Sequence, residues 1–210
     1  MDKRRCVILG GAPIGNYPAV KAYLRDGDAV IACDAGLRHL EPLGVTPSLI
    51  VGDFDSHENP HLAVETIVLP HEKDDTDTMY AVREALRRGF KEFLLLGVFG
   101  ARLDHTLGNL GILHFLDSRG VPALAVDDFS EMCIVSRGEA LVSDAYPYFS
   151  LLAADGPAEG VTIRDALYTL EDARITPDWQ VGVSNEPLPG RTARITVRKG
   201  RLLLIRDRKE

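Results

Sequence analysis

Residues Ile50–Ser56 read IVGDFDS, and further on His71–Thr78 read HEKDDTDT. Asp53 and Asp55 stand two apart behind a short apolar run, so in extended backbone both carboxylates leave the chain on one side. Like charges held together are unfavourable unless a cation or a proton compensates. A hard cation such as Mg²⁺, held by a pair of carboxylates and by substrate phosphates, suits the pattern. A solvated acidic turn suits the DFD triplet alone just as well. The second cluster shifts the balance. Asp74 or Asp75 is suited to cap a helix beginning near Thr76, and Asp77 then falls in its first turn, where the helix dipole favours an anion. Capping accounts for one or two of these carboxylates but not for three beside Lys73. If the sheet brings both strand ends together, the carboxylates surround one space, which is sensible only around metal ions with a polyphosphate as further ligand. Lys73 then meets phosphate as a compact point charge.

A third segment, GVFGARLDHTLGNL (Gly97–Leu110), places glycines where a backbone could approach a ligand closely, followed by a helix start suited to anions. Arg102 is placed to brace phosphate. His105 and Asn109 lie one helical turn apart and share a face opposite much of the stripe Leu103, Leu107, Leu110, Leu113. The plainer alternative makes Asp104 an N-cap and His105 a surface histidine. Common phosphate and calcium motifs fail. GGAPIGNY (Gly10–Tyr17) lacks both the G-x-G-x-x-G spacing and the Lys-Ser/Thr ending of a P-loop. A calcium loop starting at Asp53 would need glutamate where Val64 stands.

Positioning such groups requires strand ends brought side by side. Continuous apolar runs at Cys6–Leu9, Ala29–Cys33, Leu49–Val51, Thr66–Leu69, Glu92–Leu96 and Ala123–Val126 predict strands covered on both faces. Helical segments are predicted between them at Tyr17–Arg25, Leu37–Leu43, Thr76–Arg88 and Leu103–Ser118, with the leucine stripe as the apolar face of the last. This alternation predicts a layered α/β domain with a largely parallel sheet over residues 1–128. Beyond it, short runs at Cys133–Val135, Ala140–Val142, Phe149–Ala153, Val161–Ile163, Val181–Val183, Ala193–Val197 and Leu202–Ile205, punctuated by turn residues, predict a small β-sandwich over residues 129–210.

With 210 residues, 45% hydrophobic and 26% charged, the chain is long enough for two such cores. A net charge of −7 argues against general binding to nucleic acid or anionic membranes, though not against a single nucleotide. Three cysteines in strand-like settings read as reduced thiols, and the apolar run near the N-terminus is too short for a signal peptide. No stretch approaches a membrane span. A cytoplasmic protein is expected.

In order and spacing, TPSLIVGDFDS, KDDTDT and GVFGARLDHTLGN resemble the thiamine pyrophosphokinases. DAGLRHL (Asp34–Leu40) is similar to that family's nucleotide-side segment, and GVTIRDALYTLEDARI and VGVSNEPL resemble its β-domain pattern. The resemblance implies a homodimeric, two-domain enzyme that transfers the diphosphoryl group of ATP, with Mg²⁺, to the hydroxyl of thiamine and leaves AMP. It implies a metal and polyphosphate site of Asp53, Asp55 and Asp77, with Lys73, Asp74, Arg102 and Asp104 as catalytic-site or phosphate contacts. Asp34, Gly36, Thr76, His105 and Asn109 fall on the nucleotide side. Tyr168 takes the position that stacks on thiamine in a pocket between subunits, with Ser184 and Asn185 beside it. The sequence departs from the pattern at Ala101 and Gly108, where glycine and alanine are usual, and at Asp165 and Leu167, where glycine and lysine commonly stand. The alternatives are a pyrophosphokinase for another hydroxymethyl compound such as a pterin, a metal-dependent nucleotidyl- or glycosyltransferase, and a non-catalytic nucleotide or thiamine sensor.

Overall fold

The computed structural model describes residues 5–54, 62–72, 74–153 and 155–208. Its contacts divide the chain into two compact units, Met1–Asp128 and Phe129–Glu210.

The first unit is a parallel sheet with helical connections. In chain order it contains β1 (Arg5–Leu9), α1 (Tyr17–Lys21), β2 (Ala29–Cys33), a 3₁₀ turn (Asp34–His39) running into α2 (Leu40–Leu43), β3 (Leu49–Gly52), β4 (Thr66–Val68), α3 (Asp77–Arg87), β5 (Glu92–Leu96), α4 (Leu103–Ser118) and β6 (Ala123–Val126). The strand order is β4-β3-β2-β1-β5-β6, and every neighbouring pair is parallel. Successive strands step outward from β1 to β4, and β5 then returns to the opposite side of β1. The direction of winding therefore reverses between β1 and β5. In an open α/β sheet that reversal leaves a crevice beyond the carboxyl ends of the two strands. All five residues of β1 are buried: Cys6–Leu9 form the apolar run, and Arg5 pairs with Asp28 at 2.7 Å. Val7 and Leu9 pack with Val20 of α1 and Leu43 of α2, while α3 packs on β1, β2 and β3.

The second unit contains β7 (Ser130–Val135), β8 (Glu139–Ser143), β9 (Tyr148–Leu152), β10 (Ala158–Arg164), β11 (Leu170–Ile175), β12 (Thr192–Thr196) and β13 (Leu202–Asp207). One layer runs β7-β13-β9 and the other β11-β10-β12-β8, all pairs antiparallel. Phe149, Leu151, Leu202 and Leu204 from the first layer share a core with Val142, Val161, Ile163 and Ile195 from the second. This is the predicted sandwich.

Four elements differ from the sequence expectation, each for a physical reason. The first helix stops at Lys21 rather than Arg25, because the following residues tighten into i→i+3 bonds from Tyr23 to Val20 and from Leu24 to Lys21. Val181–Val183 is a turn rather than a strand. Gly182 there lies so close to β9 that a Cβ would meet the Leu151 carbonyl oxygen at 2.5 Å. β11 carries no continuous apolar run (LEDARI) and lies at a sheet edge, so its pattern gave no signal. On α4 the leucine stripe is fully buried only at Leu113. Leu103 and Leu107 are 71% and 59% exposed, and the buried face is Asn109, Ile112, Leu113 and Leu116. Those four recur at i, i+3, i+4 and i+7, a second periodic stripe that the leucines masked.

Candidate active site

Three carboxylates meet where β2, β3 and α3 come together. Asp34 follows β2, Asp53 follows β3, and Asp77 opens α3, whose N-cap Thr76 accepts a hydrogen bond from the Met79 amide at 3.2 Å. One ligand atom from each of Asp34, Asp53 and Asp77 lies within 4.8 Å of the other two. Local backbone chemistry makes this approach possible. Asp34 has φ +27°, in the left-handed region, and is buried. A Cβ on Gly52 would stand 3.0 Å from the Asp34 Cβ, and one on Gly36 would stand 2.2 Å from the Leu9 carbonyl oxygen. Both positions require glycine, the first to admit Asp34 and the second to seat the 3₁₀ turn on β1. Phe54, just after Asp53, is also left-handed at φ +55°. Strained residues on both strand ends accompany functional geometry. Carboxylates gathered this closely demand a counter-charge, and a set of hard oxygen donors fits a divalent cation such as Mg²⁺.

Beside the carboxylates lies a cavity of about 240 Å³ at the winding reversal. Its walls are the loop after β1 (Gly11, Ala12), the end of β2 (Cys33, Asp34, Ala35), the start of α3 (Thr76, Asp77, Thr78) and the segment from Gly97 into α4, including Arg102, His105 and Asn109. Two helix starts thus border one space, an arrangement suited to a polyanion. The β5–α4 connection is internally tied. The Asn109 amide donates to the Val98 carbonyl at 2.7 Å, and the Thr106 hydroxyl accepts from the Gly100 amide at 3.1 Å. Burial pushes the Cys33 thiol far above its ordinary range, which makes it wall rather than nucleophile.

The structure brings together Asp53, Asp77 and Asp34, the last as a member of the carboxylate cluster as well as of the cavity wall. Thr76, Arg102, His105 and Asn109 also line the cavity. Asp55 and Lys73 lie outside the described residues. The cap of α3 is Thr76, not Asp74 or Asp75, because its hydroxyl sits three residues before the Met79 amide. Asp75 pairs instead with Arg83 at 2.9 Å, and Asp74 is exposed and not among the residues lining the cavity. Asp104 is not the cap of α4. It lies inside the first turn and forms a two-pronged pair with Arg102, at 3.2 and 2.6 Å. The Arg102 guanidinium, with help from the His105 amide, pulls the Asp104 carboxyl down to about 2. Gly36 is not among the residues lining the cavity and is buried against the end of β1, where a Cβ would clash with the Leu9 carbonyl.

In the second unit, Tyr168 is 61% exposed and Asn185 only 2%. The Asn185 carboxamide accepts from the Tyr168 amide at 3.0 Å and the Glu186 amide at 2.9 Å, and donates to the Tyr168 carbonyl at 2.7 Å. These bonds tie the Asn185 side chain to the Tyr168 backbone. Ser184 is left-handed at φ +56°, and its amide donates to the Ser150 hydroxyl at 3.1 Å. Sequence reasoning placed Asp34 beside the nucleotide but not in the carboxylate cluster. The signal for it was available: it ends β2, the neighbour of β3, as Asp53 ends β3.

Comparison with known proteins gives one consistent result. Residues 20–124 match the family model for the thiamin pyrophosphokinase catalytic domain, and residues 134–202 match that for the thiamin pyrophosphokinase vitamin B1 binding domain. The chain is 27% identical over 208 residues to the thiamine pyrophosphokinase of Bacillus subtilis (strain 168), covering 95% of this chain and 97% of that protein. The crystal structure of a Bacillus subtilis thiamine pyrophosphokinase superposes with a TM-score of 0.87 at 24% identity, covering 99% of this chain and 100% of that one. That of the Geobacillus thermodenitrificans thiamin pyrophosphokinase gives 0.84 at 26% identity, covering 98% of each.

Proposed function

This chain belongs to the thiamin pyrophosphokinase family, and from that premise we infer how its residues carry out ATP-dependent pyrophosphorylation of thiamine. The observation that carries the reading is the approach of Asp34, Asp53 and Asp77 beside a cavity bordered by two helix starts. The matches to both the catalytic and the vitamin B1 binding domain support thiamine pyrophosphorylation and give no support to the pterin, glycosyltransferase or sensor alternatives.

ATP is the donor, and its polyphosphate lies in the cavity between the starts of α3 and α4. Asp34, Asp53 and Asp77 would hold Mg²⁺, and Asp55 is the further ligand that the family resemblance implies. Bound there, Mg²⁺ would supply positive charge to the phosphate oxygens. Arg102 at the cavity rim offers a second positive charge, tempered by its pair with Asp104. Lys73 belongs to the same electrostatic set. The thiamine hydroxyl attacks the β-phosphorus, the bond to the α-phosphate oxygen breaks, and thiamine diphosphate and AMP leave. A carboxylate shared with a cation is a poor proton acceptor, so the aspartates act by holding charge and alignment rather than as a strong base. Tyr168 offers its exposed ring to the thiamine.

A homodimer with thiamine between subunits is part of this reading. It is supported by the exposed leucines of α4 and, in the second unit, by exposed Leu167, Tyr168 and Val183, apolar side chains that a second copy would cover. The free cysteines suit a reducing cytoplasm. Among the described residues, no helix is long and apolar enough to cross a membrane.

The test is incubation of the purified protein with thiamine, ATP and Mg²⁺. Thiamine diphosphate and AMP are expected in equal amounts and are abolished by EDTA. Formation of ADP and thiamine monophosphate would overturn attack at the β-phosphorus. Persistence of turnover in EDTA would overturn the metal role.

A further inference from the structure

His39 is absent from the site as described, yet it joins three of the segments around it. It closes the 3₁₀ turn that Asp34 opens, and only 1% of it is exposed. Its Nε2 lies 2.9 Å from the Ala12 carbonyl oxygen and its Nδ1 2.8 Å from the Tyr17 hydroxyl. A carbonyl can only accept, so Nε2 carries the proton; Nδ1 of the neutral ring then accepts from the Tyr17 O–H. The ring also lies against Gly97. A Cβ there would meet the His39 Cδ2 at 3.3 Å, the Ala12 oxygen at 3.2 Å and the Gly10 oxygen at 2.7 Å. The Ala12 amide donates to the Gly97 carbonyl at 2.8 Å, which closes the arrangement. The neighbouring Arg38 donates to the Gly11 carbonyl at 2.8 Å. Consecutive residues of the turn thus hold consecutive carbonyls of the loop after β1. That loop and Gly97 flank the winding reversal and wall the cavity.

We propose that His39 is a positioning residue for the nucleotide, fixing the Gly10–Ala12 loop and the Gly97 turn as one preformed wall of the ATP cavity. The proposal rests on the reading of that cavity as the ATP site. His39 is not a proton acceptor in the reaction, because it is buried and both ring nitrogens are engaged. Burial holds its pKa below the ordinary histidine value and the Arg38 charge adds to this, opposed by the bond to Ala12, so the ring stays in the neutral form the geometry needs. Losing the ring frees the loop carbonyl, and ATP must then order the wall as it binds.

The experiment is calorimetric binding of ATP with Mg²⁺ to wild-type, His39→Phe, His39→Gln and Tyr17→Phe proteins, with the KM for thiamine measured in parallel. His39→Phe is expected to weaken ATP binding about tenfold and leave the thiamine KM unchanged, as loss of a buried hydrogen bond predicts. His39→Gln restores a donor and recovers part of the loss, and Tyr17→Phe costs about threefold because the ring remains. ¹⁵N NMR of the wild type is expected to give the Nε2–H tautomer for the signal lost in His39→Phe. ATP affinity unchanged in folded His39→Phe, or equal losses for ATP and thiamine, overturns the proposal. If His39→Phe does not fold, unchanged affinity in Tyr17→Phe overturns it. A wild-type protein that binds no ATP overturns the cavity assignment instead.

Discussion

The two units use their polar groups in opposite ways. In the α/β unit, Asp34 and Asp53 at strand ends and Asp77 at the start of α3 are held close together, a set of hard oxygen donors suited to a divalent cation. In the sandwich, Asn185 satisfies its hydrogen bonds inside the protein, and the group left facing outward is the aromatic ring of Tyr168. On the proposed function, the difference follows from what each unit would recognise. A polyphosphate with a cation requires charges fixed in space, and glycines at 36 and 52 together with a left-handed Asp34 provide that at a local cost. A flat heterocycle requires an exposed face, and a loop pinned through its backbone is enough to present it.

The comparison breaks most visibly at the carboxylates. Asp77→Ala and Asp34→Ala are each expected to lower kcat by about 1000-fold; the melt of Asp77→Ala stays close to wild type, since removing one member relieves repulsion as it removes a ligand, while that of Asp34→Ala falls because alanine at positive φ costs about 1–2 kcal/mol. Steady-state kinetics with a circular-dichroism melt checks this, and a folded variant with near-normal turnover would remove that residue from the site. Gly52→Ala tests the same cluster from behind. Its new Cβ, 3.0 Å from the Asp34 Cβ, must displace that aspartate, and a loss in kcat of about 10- to 100-fold is expected with Asp34 itself intact. Unchanged kinetics would mean that the cluster tolerates displacement and is not preorganised.

The sandwich side is expected to respond in KM instead. Tyr168→Ala should raise the KM for thiamine about tenfold, the scale of one lost stacking contact, and leave the KM for ATP alone. A change confined to ATP would reverse the assignment of the two units.

Much of the first unit was legible because β1, β2 and β5 are buried on both faces and therefore read as unbroken apolar runs. The pairing of the DFD and DDTD segments followed from both lying behind strands. Two kinds of feature were hidden. The burial of α4 was misread because the stripe Leu103, Leu107, Leu110 and Leu113 shares only Leu113 with the true core face, which includes the polar Asn109, bonded to Val98. The roles of Asp34, His39 and Asn185 depend on which backbone groups come near them in space. No spacing along the chain encodes the 2.9 Å from His39 to Ala12, twenty-seven positions away.

The smallest effect discriminates between two departures from the family pattern, one in each unit. Ala101 and Asp165 are departures from the resembled family pattern, which has glycine there, and both have positive φ, +56° and +55°. For alanine the left-handed conformation costs about 1–2 kcal/mol. Glycine removes that cost but gives back about 0.5–1 kcal/mol of unfolded-chain entropy. Ala101→Gly is therefore expected to stabilise by roughly 0.5–1 kcal/mol, a rise of about 1–4 °C in Tm for a chain of this size. Asp165 is a milder case, because aspartate tolerates the left-handed region better. Its carboxylate also accepts from Arg191 at 2.7 Å. Asp165→Gly is expected to leave Tm within about 1 °C of wild type, the small strain relief offset by the lost pair and the added entropy. Calorimetry of the two variants side by side checks the difference. Equal gains would show that the Arg191 contact adds nothing, and a fall in Ala101→Gly would show that the loop before α4 is held by its neighbours strongly enough to carry the strain.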